Sequence, residues 1–72
     1  MQSLLADVLA AWRASERALQ HLDPYSPAWQ READIAAELR ALYQELTAGA
    51  ASVDEGRTRL VRLNVSRGAA GA

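Results

Sequence analysis

Hydrophobic residues in the first third of the chain recur at alternating intervals of three and four. They are Met1, Leu5, Val8, Trp12, Leu19 and Leu22, and Ser15 occupies the one remaining slot of the series. This is the period of a helix with one apolar face, since a half-buried strand would alternate every two residues. The pattern therefore predicts a first helix over about residues 2–22.

A break and a second apolar series follow this helix. Residues 23–27 contain two prolines, which cannot continue a helix. Ser26 followed by Pro27 is typical of a helix start, because the hydroxyl accepts a free backbone N–H and proline has no N–H to lose there. Apolar residues then keep helical spacing until Gly49, a residue common just past a helix end. The sequence predicts a second helix over about residues 27–48.

The two predicted helices have similar lengths and a short connection, which favours an antiparallel helical hairpin over residues 1–50. Folding the chain at the turn pairs positions whose numbers sum to about 51. Apolar residues then meet apolar residues along the seam, as in the pairs Leu5–Leu46, Trp12–Leu39 and Leu22–Trp29. This agreement between register and pattern is the strongest support for the hairpin.

The apolar face is wider than one hairpin can cover. A two-helix contact needs only a narrow seam, whereas the second helix carries the neighbouring pairs Ile35–Ala36 and Leu42–Tyr43. A large exposed apolar face promotes association, so it must be covered by a second copy, by the C-terminal segment or by both. We predict both, with a homodimer that closes a four-helix-type bundle as the main cover. The predicted interface residues are Leu5, Val8, Trp12, Trp29, Ile35, Leu39, Leu42, Tyr43 and Leu46.

The C-terminal segment is ambiguous. Ser52 and Glu55 have the spacing of a capping box, and Val53, Gly56, Leu60 and Leu63 follow at helical spacing. Alternating Val61, Leu63 and Val65 would instead suit a strand or an extended arm, and glycine weakens a helix by about 1 kcal/mol relative to alanine. We favour a short helix over about residues 53–64, within a segment 51–65 that packs on the hairpin. Residues 66–72 are predicted to be a disordered tail.

The composition limits the class of protein. The 72 residues allow one small domain without cysteine, hence without a disulfide or a thiolate metal site, so a partner chain is the remaining source of stability. No apolar run approaches the ~20 residues that span a bilayer. The apolar stretch 3–11 is interrupted by Asp7 and follows no basic residue, unlike a signal peptide. We expect a cytoplasmic protein without a membrane partner.

Charge is distributed unevenly along the chain. Residues 1–55 carry four arginines and all nine acids, a net charge of −5, whereas residues 56–72 carry four arginines and no acid, a net charge of +4. Such a tail can bind phosphates, but it lacks interleaved aromatic residues and any known reading module. Docking on the acidic body, or simple solvation of the arginines, is the favoured interpretation. A nucleic-acid-associated accessory protein is the alternative, with contacts from Arg57, Arg59, Arg62 and Arg67.

Candidate chemistry is sparse. His21 lacks the Glu-x-x-His spacing of helix-bundle di-metal sites, and Ser15 has no base within one turn on its face. Ser15 is better interpreted as a small residue facing Ile35 whose hydroxyl bonds back to a backbone carbonyl. An enzyme with a site shared between two chains would need polar residues inside the bundle, and only Ser15, Glu32 and Arg40 qualify.

The four aromatic residues indicate a core or an interface rather than a ligand pocket. Trp12, Tyr25, Trp29 and Tyr43 could line a ligand pocket, but aromatic residues at helical spacing are more often part of a core or an interface. We expect no cofactor and no metal. The sequence predicts an all-α, non-enzymatic protein that serves as a protein–protein interaction or assembly module, binding itself or another protein.

Overall fold

Three α-helices form the described part of the chain. The computed structural model describes residues 3–71, and the side chains of residues 3–67. The helices are α1 (Leu4–Leu19), α2 (Pro27–Ala48) and α3 (Val53–Gly71), and no strand occurs in this part of the chain. The protein is therefore all-helical, as the hydrophobic periodicity predicts.

Helix α1 begins with a serine cap and ends earlier than the sequence predicts. The Ser3 Oγ accepts the Ala6 N–H at 3.1 Å. Past Leu19, the N–H groups of residues 20, 21 and 22 each bond the carbonyl three residues earlier, at 3.2, 3.1 and 3.4 Å. Hydrogen bonds to the third preceding residue are those of a 3₁₀ turn and not of an α-helix. Helix α1 therefore stops three residues before the predicted end at 22. Residue 2, the predicted start, lies outside the described residues.

Helix α2 has the predicted bounds. The Ser26 Oγ accepts the Trp29 N–H at 3.1 Å and donates to the Asp23 carbonyl oxygen at 2.7 Å. At the other end Gly49 adopts the left-handed conformation with φ +76°. Both boundaries depend on local chemistry that the sequence displays directly.

Helix α3 confirms the helical alternative for the third segment. The Ser52 Oγ accepts the Glu55 N–H at 3.1 Å, which caps the helix start. The helix does not end near residue 64 but continues to Gly71, so residues 66–71 are helical where the sequence predicts disorder. The predicted tail also includes residue 72, which lies outside the described residues. The reason for the longer helix is tertiary, because the Arg67 side chain contacts both α1 and α2.

The helices form a bundle with alternating directions. Ser15 of α1 bonds Glu32 near the start of α2, whereas Gly56 of α3 lies between Leu4 at the start of α1 and Leu46 near the end of α2. These contacts make α1 and α2 antiparallel, as the hairpin register predicts. Helix α3 then returns along both of them. The molecule measures 35 × 21 × 20 Å, close to the length of α2 at about 33 Å.

One apolar core joins all three helices. Its buried members are Leu4, Val8, Ile35, Leu39, Leu42, Leu60 and Leu63. The last two belong to α3, so the third segment covers the wide face of the hairpin within a single chain. Burial of each such side chain stabilises the fold by about 1.5–3 kcal/mol. Among the described residues, no helix is long and apolar enough to cross a membrane.

Candidate protein-interaction surface

The outer side of α3 exposes apolar side chains. Val61 and Val65 have 62% and 64% of their surface exposed, and Val53 has 56%. Residues four apart on a helix are neighbours on its surface, so Val61 and Val65 form one patch. Val53 lies two turns before Leu60, on the side of α3 that faces the core, and is exposed at the helix start. We call Val61 and Val65 the valine row. It faces away from Leu60 and Leu63, which point into the core.

Valine is an unfavourable choice at such positions. Its branched side chain has a lower helix propensity than glutamine, glutamate or lysine, and exposed apolar area gains nothing from folding. A single exposed hydrophobic residue needs no explanation, but two in adjacent turns form a continuous patch. The valine row therefore has the character of a small binding surface. Its size suits a weak or transient interface.

Two arginines flank the exposed valines. Arg57 and Arg62 are both exposed. With 3.6 residues per turn, they project on opposite sides of the Val61–Val65 pair. Neither takes part in an ion pair within the part of the chain that the structure describes. The surface formed by the valine row, Arg57 and Arg62 is called the α3 surface below.

Arg59 lies on another side of α3 and binds α2. Its Nη1 and Nη2 donate to Oε1 and Oε2 of Glu45 at 2.9 and 3.1 Å, a bidentate pair. The hydrogen bonds from Arg59 lower the pKa of Glu45 below its ordinary value of 4.5. The same pair raises the pKa of Arg59, with smaller contributions from the charges of Glu38 and Glu55. Arg59 is thus engaged in holding α3 against the hairpin.

Arg67 belongs to a polar cluster between the three helices. Its Nη2 donates to Ser15 Oγ and, at 3.3 Å, to the carbonyl oxygen of Ala11, and it lies 3.4 Å from Glu32 Oε2. The Ser15 hydroxyl in turn donates to Glu32 Oε2 at 3.2 Å. The prediction that Ser15 bonds a backbone carbonyl is therefore wrong. Its partners are a carboxylate and a guanidinium from the other two helices.

The cluster is suited to holding helices together. Ser15 has no exposed surface, and the side chains of Arg67 and Glu32 are 29% and 12% exposed. If Ser15 were a nucleophile, the Glu32 carboxylate would have to act as its base. That carboxylate is instead engaged by Arg67. The Nε of Arg67 is buried and lacks a hydrogen-bond partner among the described residues, which reduces the net stabilisation. Arg40, the third polar residue considered from the sequence, is exposed.

The predicted interface residues occupy several environments. Val8, Ile35, Leu39 and Leu42 are buried in the core, at 0, 7, 1 and 0% exposure. While α3 is docked, these four have no surface to offer a second chain. The others, which retain some exposure, are Leu5, Trp12, Trp29, Tyr43 and Leu46.

The valine row was not among the predicted interface residues. Val61 and Val65 fit the alternation of a strand as well as the period of a helix, so the sequence alone does not place them on an outer helix face. Among the four predicted phosphate-binding arginines, Arg59 and Arg67 contact carboxylates of α2, and Arg57 and Arg62 do not.

Other candidate sites offer little organised chemistry. A shallow groove of about 370 Å³ along α3 is lined by Asp54, Glu55, Thr58, Arg59 and Arg62, so a charged ligand would meet both signs there. Tyr25 projects from the α1–α2 turn with 96% exposure, and His21 is exposed in the same turn. Within residues 3–71, no three histidine, aspartate or glutamate side chains are grouped as metal ligands.

Comparison with family models, with curated proteins and with solved structures finds no match to this chain.

Proposed function

We propose that this protein is a small, non-enzymatic protein–protein interaction module that binds another chain through the α3 surface. One observation carries the proposal. Val61 and Val65 are exposed one helical turn apart, on a helix whose opposite side is already buried against the hairpin. Helix α3 therefore has two apolar sides, and only one of them has a partner within the chain.

The polar contacts of α3 support a fixed platform for such binding. Arg59 pairs with Glu45, and Arg67 contacts Glu32 and Ser15, so both halves of α3 are tied to the hairpin. A surface held on a rigid element loses less conformational entropy when it binds. The valine row is thus presented in a defined orientation.

Self-association, which the wide hairpin face predicts, is one form of this proposal. The closure predicted from the sequence uses Val8, Ile35, Leu39 and Leu42, which are buried here in one core with Leu60 and Leu63 of α3. A homodimer of the folded chain would have to use surfaces that a single chain leaves exposed. The valine row is the candidate with the most exposed aliphatic side chains among the described residues.

A capture experiment with three forms of the protein tests the proposal. The wild type, the double variant Val61→Gln/Val65→Gln and the control Tyr25→Gln are immobilised and exposed to an extract of the cells that produce the protein. Glutamine has a higher helix propensity than valine, so the double variant should fold at least as well. Tyr25→Gln removes a more exposed apolar side chain from a different part of the molecule.

We expect one partner chain, a second copy or another protein, to bind the wild type and the control in stoichiometric amount and to be lost with the double variant. Circular dichroism of the three forms checks that each is folded. Equal capture by all three forms, or no specific capture by the wild type, would overturn the proposal.

A further inference from the structure

The charges of the α3 surface bear on what kind of chain it binds. Arg57 and Arg62 flank the Val61–Val65 pair on opposite sides, and both are exposed without an ion pair among the described residues. A helix that covers the valines must therefore pass between two guanidinium groups. Beside the valines its own flanking side chains will meet positive charge on both edges, whereas the exposed Asp54 and Glu55 lie about two turns nearer the start of α3.

A second copy of α3 does not suit these charges. In an antiparallel pairing that sets Val61 against Val65 of the other copy, the two Arg62 side chains fall on the same edge and at nearly the same level. Two like charges so placed repel each other. Arrangements that shift the register away from this repulsion also separate the valines.

The outer side of α2 in a second copy is also a poor match. It offers the small exposed residues Ala37 and Ala41, with Asp34 and Glu38 along one edge. Arg40 is exposed along the other edge. One of the two arginines of α3 would therefore meet a positive charge whichever way the helices run.

Arg59 and Arg67 show how α3 recognises a partner within the chain. Each contacts a carboxylate of α2, Glu45 or Glu32, beside the buried residues Leu60 and Leu63. The α3 surface repeats this combination of paired arginines and aliphatic residues on its outer side. Its own exposed carboxylates, Asp54 and Glu55, lie nearer the start of α3.

From this charge pattern we infer that the α3 surface binds an acidic amphipathic helix of another protein, whose apolar row covers Val61 and Val65 and whose carboxylates on both edges pair with Arg57 and Arg62. The inference rests on the proposed function and adds the chemistry of the partner. Carboxylate pairing supplies selectivity and faster association, while apolar contact supplies most of the affinity. The interface is small, so we expect the binding to be weak and transient.

Three synthetic helical peptides test the inference. They share one apolar row of leucines at i, i+4 spacing and differ only in the residues along both edges, which are all glutamate, all glutamine or all lysine. Binding to the full-length protein is measured by fluorescence anisotropy, and the contact residues are mapped by amide chemical shifts. A short DNA duplex is a fourth probe, because the same arginines could contact phosphates.

We expect the glutamate peptide to bind about threefold to tenfold more tightly than the glutamine peptide, since an exposed ion pair contributes modestly. The lysine peptide should bind most weakly. Arg57→Gln/Arg62→Gln should remove the preference for glutamate, and higher salt should reduce it. Val61→Gln/Val65→Gln should abolish binding of every peptide.

Each other outcome overturns the inference in a distinguishable way. Equal binding of the glutamate and glutamine peptides, lost with the valine variant, would refute the acidic partner and leave the proposed function standing. Self-association lost with the same variant would identify a second copy instead. DNA binding that needs the arginines but not the valines would indicate a nucleic-acid surface. If no peptide binds, the inference fails, and the capture experiment decides the proposed function separately.

Discussion

Gly56 is a residue at which α3 packs closely against the hairpin. A Cβ at this position would lie 2.7 Å from the Leu4 Cδ2 and 3.0 Å from the Leu46 Cδ2. In the sequence this glycine argues against a helix, since glycine has a low helix propensity. In the structure its lack of a side chain allows α3 to pack against both helices at the open end of the hairpin. A residue that weakens the isolated helix thus strengthens its packing.

Substitutions at Gly56 should therefore separate helix propensity from packing. Gly56→Ala gains about 1 kcal/mol of helix propensity, which the displacement of the two leucine side chains offsets, so unfolding free energy should change by less than about 1 kcal/mol. Gly56→Leu should destabilise the protein by about 2 kcal/mol or more, because overpacking then dominates. Urea denaturation measures both values. Equal stability of the leucine and alanine variants would contradict the close packing.

Glu45 should make folding stability depend on pH. Its pKa is lowered below 4.5 in the folded protein by the hydrogen bonds from Arg59, whereas Arg59, with its pKa raised, stays charged at acidic and neutral pH. The stabilisation is complete above the unfolded-state pKa and is lost as the pH falls through the lowered, folded-state pKa.

Glu45→Gln should therefore reduce the unfolding free energy more at about pH 7 than at about pH 3. The measurement is urea denaturation of the wild type and the variant at both pH values. In an Arg59→Gln background the substitution should have a small effect at either pH, because the source of the pKa shift is gone. A full effect that persists at acidic pH would exclude the pair as its cause.

At the scale of the helices, the sequence predicts the helix boundaries that depend on adjacent residues. The Ser26–Pro27 start and Gly49 end of α2 are visible in a few adjacent residues, and the structure has both. The length of α3 depends on a distant residue, because Arg67 contacts Glu32, which lies 35 residues earlier in the chain. No periodicity in α3 identifies that partner. For the same reason Ser15 could be recognised as unusual from the sequence, but its contacts could not be assigned.

Arg67 should control the order of the last turns of α3. Arg67→Met keeps an unbranched aliphatic side chain and leaves Glu32 without its guanidinium, so we expect amides beyond residue 63 to exchange faster while those near Leu60 stay protected. Loss of the charged hydrogen bonds should cost about 1–2 kcal/mol of unfolding free energy. Hydrogen exchange by NMR checks the local effect.

The control for this prediction is Arg62→Met, which makes the same change at an exposed position without an ion pair among the described residues. It should leave the exchange pattern of α3 unchanged. If Arg67→Met behaves like this control, the polar cluster does not hold α3.

At the scale of the whole molecule, the fold shows how the wide apolar face of the hairpin is covered. The wide apolar face predicts a cover by a second copy, by the third segment or by both. In the structure Leu60 and Leu63 of α3 complete the core with Leu39 and Leu42. The candidate for association consequently moves from the inner hairpin face to the outer side of α3. That change depends on α3 being both helical and docked, which the sequence favours only for its first half.

In this fold one chain closes its own core, and the dependence of unfolding on protein concentration tests this closure most directly. The urea unfolding midpoint is measured between about 0.1 and 10 µM protein, below the weak association expected of the α3 surface. We predict the same midpoint throughout. A hairpin dimer with α3 as a loose arm would instead lose about 2.7 kcal/mol per dimer over this hundredfold dilution. A midpoint that falls steadily on dilution would therefore contradict closure within a single chain.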